Sequence, residues 1–146
     1  MPTTTLDAIR ADFALLDDWE DRYRYVIELG RMMPVFEEAH RTADNKVRGC
    51  ASQVWLATRW APGEDGAASL AMQGDSDAHI VRGLIAILLA IYDGRPARDV
   101  LDTDARAIFA ELGLSDHLTA QRSNGLNSMV ERIRADARSA LAEQDA

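Results

Sequence analysis

The residue with the most distinctive chemistry in this 146-residue sequence is its single cysteine, Cys50. It follows Gly49, whose backbone can turn sharply, and the basic residues Lys46 and Arg48 lie close to it along the chain. Positive neighbours favour the thiolate, which is the form of cysteine that attacks sulfur or carbon. A lone cysteine is also commonly a small buried apolar residue, so the residue types alone leave both interpretations open.

Other chemistries find less support in the sequence. A cysteine hydrolase needs a histidine base near the thiol, but His40, His79 and His117 form no local motif with Cys50. One cysteine and three scattered histidines lack the paired spacing of a zinc site, and the isolated glycines form no phosphate-binding loop. We therefore predict that this chain holds neither a metal nor a cofactor of its own.

Two acidic residues, Asp75 and Asp77, come directly before an apolar stretch with helical periodicity. Carboxylates at the start of a helix cap its free N–H groups and interact favourably with its dipole. We predict that both residues begin a helix rather than form a catalytic carboxylate pair.

Charge and hydropathy restrict the partners and the compartment. Sixteen basic and 24 acidic residues give a net charge of −8, the wrong sign for binding nucleic acid or an anionic membrane. The longest apolar run, residues 84–92, is far shorter than the roughly 20 residues of a membrane-spanning helix, and the sequence begins without a secretory signal pattern. A single cysteine suits a reducing compartment. We predict a cytoplasmic protein that is monomeric when free.

The periodicity of apolar residues predicts the elements that must hold Cys50. Intervals of three and four predict helices, listed here in order: a helical hairpin over 6–30, a core helix over 80–91, short helices over 96–101 and 103–112, and a long helix beyond residues 122–125. Alternation predicts a β-hairpin from Gln53 to Gln73, with a further short strand near Val47. This order predicts an α+β fold in one domain over residues 1–146, with a small antiparallel sheet packed against several helices.

Three blocks of sequence carry a family resemblance. The first is Gly-Cys-Ala-Ser-Gln-Val-Trp at residues 49–55, the second covers 74–86 and the third covers 117–126. Together they resemble the SufE/CsdE family of sulfur acceptor proteins, and residues 19–30 match that family's N-terminal helical hairpin. The departures are Ala51, where several members carry a polar residue, and a longer hairpin turn around 62–66.

The resemblance implies a SufE/IscU-like fold and a role in iron–sulfur cluster assembly. In that role a pyridoxal-phosphate-dependent cysteine desulfurase, SufS-like or CsdA-like, forms a persulfide on its own cysteine. The acceptor takes the terminal sulfur, stimulates the desulfurase and passes the sulfur to a SufBCD-like scaffold complex or another recipient. By this resemblance Cys50 is the accepting thiol and Gly49 supports its loop. Asp77 corresponds to a position for docking to the desulfurase, and Arg122 to an arginine near the cysteine or the partner surface.

A single cysteine also suits a persulfide carrier on chemical grounds, because a second thiol would attack the persulfide and leave a disulfide. We predict that Cys50 lies on a mobile loop hinged at Gly49, tucked against apolar side chains when free and extended when docked. Trp55 and Leu84 are candidate apolar neighbours.

Two other functions stay open. One is a non-covalent regulatory module for a desulfurase or scaffold, in which Cys50 only lies at the interface. The other is a redox-sensing or thiol-hydrolase protein that acts without a desulfurase.

Overall fold

The computed structural model describes residues 5–50, 52–62 and 68–145. Over these residues the fold is α+β, as predicted, with six α-helices and a two-stranded antiparallel sheet. The elements in chain order are α1 (Leu6–Leu15), α2 (Trp19–Arg31), β1 (Val54–Pro62), β2 (Ala68–Ser76), α3 (His79–Tyr92), α4 (Ala97–Asp102), α5 (Ala105–Glu111) and α6 (Ala120–Asp145), with 3₁₀ turns at Glu38–His40 and Leu114–His117. None of the described helices is both long enough and apolar enough to cross a membrane.

The predicted N-terminal helical hairpin is confirmed. Asp18 caps α2, because its carboxylate accepts a hydrogen bond from the backbone N–H of Glu20 at 3.0 Å. Arg22 closes the corner between α1 and α2 by donating to the carbonyl oxygens of Leu16 at 2.7 Å and Phe13 at 3.1 Å. The bond to Leu16 satisfies a carbonyl group just beyond the end of α1, and the bond to Phe13 adds to the one that this carbonyl accepts from the N–H of Leu16 at 3.1 Å.

Helix α3 forms the centre of the core, as its two apolar faces predict, and most of its side chains are buried. It packs very closely against α2, since a Cβ at Gly83 would lie 2.1 Å from the carbonyl oxygen of Val26. Glycine at position 83 therefore allows the two helix backbones to approach each other.

The predicted β-hairpin is present, and its second strand extends beyond the expected end. The strands pair from Val54 with Ser76 to Pro62 with Ala68, so β2 continues three residues past Gln73. The turn between the strands lies outside the described residues, as does Ala51.

The extension of β2 shows that the predicted capping role of Asp75 and Asp77 is wrong. The residue before α3 is Ala78, and no side chain caps the helix there. The carboxylate of Asp75 instead lies between two guanidinium groups, 2.9 Å from Arg41 and 3.1 Å from Arg82. One of these cations, Arg41, comes from the segment before β1 and the other, Arg82, from α3 itself, and both hold the carboxylate away from the free N–H groups of the helix.

The predicted short strand near Val47 is reduced to a single bridge between Lys46 and Trp55. Two backbone bonds flank it, from the N–H of Val47 to the carbonyl of Val54 at 2.8 Å and from the N–H of Leu56 to the carbonyl of Asn45 at 2.9 Å. The chain thus returns against the start of β1, and the residues between form a short closed loop that contains Cys50.

Helix α6 begins earlier than predicted, at Ala120 instead of after residues 122–125. The hydroxyl of Thr119 accepts a hydrogen bond from the backbone N–H of Arg122 at 3.2 Å, which is the geometry of an N-terminal cap. Gly125 therefore lies inside the helix rather than before it.

Candidate functional site

Cys50 lies at the tip of its loop, against the first turns of α6. The side chain is half-buried, and its thiol donates a hydrogen bond to the carbonyl oxygen of Gly125 at a sulfur–oxygen distance of 3.6 Å. A carbonyl group near the N-terminal end of a helix already accepts a backbone hydrogen bond from within the helix. The thiol of Cys50 therefore adds only a weak second hydrogen bond to the Gly125 carbonyl. Cys50 therefore contacts the backbone of α6 directly, and we call this position of the side chain the seated state.

Gly49 makes this seating possible through both its conformation and its size. Its φ angle is +88°, in the left-handed region that residues with a Cβ rarely adopt. A Cβ at this position would also lie 2.6 Å from the side-chain oxygen of Ser128 on α6. The loop thus lies flat against the helix one turn after Gly125.

Gly125 provides the matching space on the helix side. A Cβ built there would lie 3.5 Å from the sulfur of Cys50 and 3.8 Å from its Cβ. Sequence reasoning assigned no role to this glycine, although a glycine inside a helix costs stability and therefore often has a packing reason. It was missed because α6 was predicted to begin after it.

A cavity of about 210 Å³ opens beside the cysteine. Its apolar lining comes from three elements and consists of Val54, Val81, Leu84, Leu126 and Met129, all buried. Its more polar lining consists of Ser52, Thr119, Gln121 and Arg122. One side of the Cys50 sulfur therefore faces an apolar cavity.

Of the two predicted apolar neighbours of Cys50, Leu84 lines this cavity and Trp55 does not. Successive side chains of a strand point to opposite faces, so Val54 faces the cavity and Trp55 faces away from it. The ring of Trp55 instead packs against the guanidinium of Arg41, whose central carbon lies 4.7 Å from the ring centroid.

The electrostatic environment of Cys50 favours the neutral thiol. Burial raises the pKa of Cys50 above its ordinary value, because the apolar surroundings solvate a thiolate poorly. The expectation that Lys46 and Arg48 favour the thiolate is wrong for this seated state. Both residues are exposed, and among the residues that the structure describes no charged group offsets the effect of burial on the pKa.

Arg122 lies at the cysteine site and Asp77 at the base of the loop. Arg122 lines the cavity and donates a hydrogen bond to the hydroxyl of Tyr23 at 3.3 Å. The carboxylate of Asp77 accepts a hydrogen bond from the backbone N–H of Gln53 at 3.0 Å, and its own N–H donates to the carbonyl of Gln53 at 3.3 Å. This pair of bonds fixes the chain three residues after Cys50.

Helix α6 also holds the chain that leads into the loop. Arg132 donates a hydrogen bond to the carbonyl oxygen of Asp44 at 2.8 Å. The carboxylate of Asp136 lies 3.3 Å from the same guanidinium and accepts a hydrogen bond from the Thr58 hydroxyl of β1 at 2.8 Å. One face of α6 therefore contacts the cysteine loop, its approach segment and the sheet.

The histidines lie elsewhere in the described part of the chain. His117 stacks on the ring of Trp19, with centroids 3.6 Å apart, and none of the described residues lining the cysteine cavity is a histidine. Among the described residues there is no group of three or more histidine, cysteine, aspartate or glutamate side chains placed to hold a metal ion.

The fold and the site define an α+β protein with one cysteine loop seated on its C-terminal helix. The family model described as SufE, the Fe-S metabolism associated domain, matches residues 7–137. This chain belongs to the SufE family, and the resemblance inferred from its three sequence blocks is confirmed.

Similar proteins support the same assignment. An uncharacterized SufE-like protein of Rhizobium meliloti strain 1021 is 55% identical over 138 residues, which cover 94% of this chain and 98% of that protein. Another from Rhizobium etli is 57% identical over 134 residues, or 92% of this chain and 90% of that protein. The solution structure of a hypothetical protein from Thermus thermophilus matches the fold with a TM-score of 0.70 at 21% identity, over 97% of this chain and 99% of that one.

Proposed function

We propose that this protein is a sulfur acceptor that takes persulfide sulfur from a cysteine desulfurase onto Cys50 and delivers it to an iron–sulfur scaffold complex. The observation that supports this most directly is the seating of the chain's only cysteine on a short loop beside an apolar cavity. Membership in a family associated with Fe-S metabolism is consistent with it. The pyridoxal phosphate of the reaction belongs to the desulfurase, and the exchange takes place in the cytoplasm.

The transfer is a thiol–persulfide exchange. The Cys50 thiolate attacks the terminal sulfur of the desulfurase persulfide, a new sulfur–sulfur bond forms on Cys50, and the old one breaks. The desulfurase cysteine leaves as a thiolate, so the number of electrons is unchanged and no external oxidant or reductant is needed. The same exchange, with Cys50 as the leaving thiolate, passes the sulfur onward.

The cavity provides shelter for the loaded form. Its volume of about 210 Å³ exceeds the share of one water molecule in the liquid, roughly 30 Å³, several-fold, so one additional sulfur atom fits beside Cys50. The walls from Val54, Leu84 and Met129 are apolar and buried. These walls cover one side of the persulfide and reduce its exposure to small thiols in solution.

Burial also determines when the thiol reacts. Burial raises the pKa of the seated thiol, so a smaller fraction of it is thiolate at neutral pH than in an exposed cysteine, and it is a poorer nucleophile. When the loop extends from its seat into a partner, the sulfur leaves the apolar surroundings and its pKa returns towards the ordinary value. The thiol is thereby less reactive when the protein is free than when it is docked.

The other predicted residues have supporting roles in this proposal. Gly49 is the hinge, because its left-handed backbone conformation places Cys50 on the helix. Arg122 lies at the cavity, where its guanidinium can pair with an anionic sulfur or with an acidic group of the partner. Asp77 is exposed and fixes the base of the loop, so a desulfurase that docks there contacts the loop's anchor.

The decisive experiment measures the intact mass of the protein after incubation with a cysteine desulfurase and cysteine. We expect a gain of about 32 Da, one sulfur atom, on the peptide that contains Cys50, and no gain without the desulfurase. Cys50→Ser must abolish this gain, whereas Ser52→Ala, a matched change at the same cavity, must retain it.

The same variants separate the acceptor from a regulatory module. A true acceptor loses its stimulation of the desulfurase with Cys50→Ser. If Cys50→Ser stimulates the desulfurase as well as the wild type does, the proposal is wrong and the protein acts as a non-covalent partner.

A further inference from the structure

Gly125 is unusual among the helix residues that surround the cysteine. It is buried within α6, where glycine is one of the least favourable residues for helix formation. Its φ is not in the positive range, so its backbone conformation does not require glycine. The nearest atoms to a Cβ at this position all belong to Cys50, at 3.5–3.9 Å, so there is room for a methyl group but not for a longer side chain that points the same way.

We propose that Gly125 is a positioning residue whose small size, which alanine would share, leaves the room that Cys50 occupies in its retracted state. The inference rests on the proposed sulfur-acceptor function and extends it to the regulation of that site. The side chain at position 125 decides how long the loop stays seated, and thus how readily the sulfur is exposed to a partner or to other thiols.

The distances separate the side chains that the seat tolerates from those that it excludes. A Cβ at 3.5 Å from the sulfur and 3.8 Å from the cysteine Cβ is in ordinary van der Waals contact, so Gly125→Ala leaves Cys50 seated. A longer side chain must extend beyond this Cβ. In Gly125→Leu the carbons beyond the Cβ extend from a point whose nearest neighbours are the sulfur, Cβ and Cα of Cys50, so they take the place of Cys50 and the loop is displaced.

The first test measures the rate at which iodoacetamide alkylates Cys50 over a range of pH, without any desulfurase. We expect Gly125→Leu to react faster than the wild type at pH 7.5, by about tenfold for each pKa unit by which the midpoint falls. Gly125→Ala should react within about twofold of the wild type, because its thiol stays seated and its pKa changes by much less than one unit. A change of one pKa unit would change the rate about tenfold. If Gly125→Leu folds and its alkylation profile matches the wild type, the seat does not depend on Gly125 and the proposal is wrong.

A smaller substitution tests the geometry if Gly125→Leu does not fold. In Gly125→Cys the new Cβ lies 3.8 Å from the Cβ of Cys50, inside the range of about 3.5–4.5 Å found in disulfides. Mild oxidation should therefore join the two cysteines within one molecule. Asn127→Cys is the matched control, because that exposed residue lies on a different face of the same helix and should stay reduced. Absence of the bond in Gly125→Cys would refute the seat.

Sulfur transfer from a desulfurase then shows whether the seat regulates the carrier. Loaded Gly125→Leu should lose its extra sulfur to added dithiothreitol several-fold faster than loaded wild type. Equal rates of loss would contradict the regulatory role. If the wild type accepts no sulfur while Gly125→Leu still shows faster alkylation, the sulfur-acceptor function fails and the seat stands.

Discussion

Replacing each of two helical glycines with alanine should change the stability in opposite directions. Gly83 in α3 and Gly125 in α6 are both buried and both lie at least four residues inside their helices. In each helix, alanine gains about 1 kcal/mol of helix propensity over glycine. The two positions differ only in what the new methyl group meets.

The expected magnitudes follow from the distances to that methyl group. At position 83 the Cβ would lie 2.1 Å from the carbonyl oxygen of Val26 and 2.6 Å from its Cγ1, so the backbones of α2 and α3 must separate. Overpacking of this kind costs about 3 kcal/mol or more, which exceeds the gain in propensity and leaves a net loss of about 2 kcal/mol. At position 125 the nearest atom is 3.5 Å away, so the gain remains and Gly125→Ala is stabilised by about 0.5–1 kcal/mol.

Urea denaturation followed by circular dichroism measures both changes against the wild type. Equal m values would show that the variants unfold from equally compact states, which makes the midpoints comparable. The two variants should differ by about 2–3 kcal/mol, or roughly 10 °C in Tm for a domain of this size. The reasoning is refuted if both variants shift in the same direction, or if Gly83→Ala stays within about 0.5 kcal/mol of the wild type.

Two further predictions concern the cysteine loop. Because burial raises the folded-state pKa of Cys50, the stability that this group contributes is present below the unfolded-state pKa and is lost as the pH rises. The free energy of unfolding of the wild type should therefore fall relative to Cys50→Ala above about pH 8.5, and parallel stability curves through alkaline pH would contradict this. Gly49→Ala should speed alkylation of Cys50, because it adds a Cβ 2.6 Å from the Ser128 side-chain oxygen and strains a φ of +88°. Gly94→Ala, with a φ of +81° and open space around it, is the control that should leave the alkylation rate unchanged.

The features that sequence predicted well depend on local patterns. Apolar spacing of three and four identified α3, and alternation identified the β-hairpin that starts beside Cys50. The capping position of Asp18 was also predictable, because the cap and the bonded N–H are two residues apart. The motif around Cys50 identified the family without any structural information.

The features that sequence missed depend on contacts between distant segments. Asp75 pairs with Arg41, which is 34 residues away in the sequence. Local sequence patterns favour helix capping by Asp75 and do not reveal this pairing. The alternation of β1 shows that Val54 and Trp55 face opposite sides, but not which side receives the cysteine. The elevated pKa of Cys50 likewise follows from burial against α6, which only the packed structure reveals.

The bridge between Lys46 and Trp55 limits how far the thiol can travel. With Val47 bonded to Val54 and Gln53 bonded to Asp77, both ends of the loop are fixed to the body of the protein. Cys50 is three residues from Val47, and an extended chain covers about 3.3–3.6 Å per residue, so its Cα reaches at most about 11 Å from that anchor. The sulfur of Cys50 can therefore extend only a limited distance into a partner protein. The partner's reacting sulfur must lie within about that distance of the surface on which this protein docks.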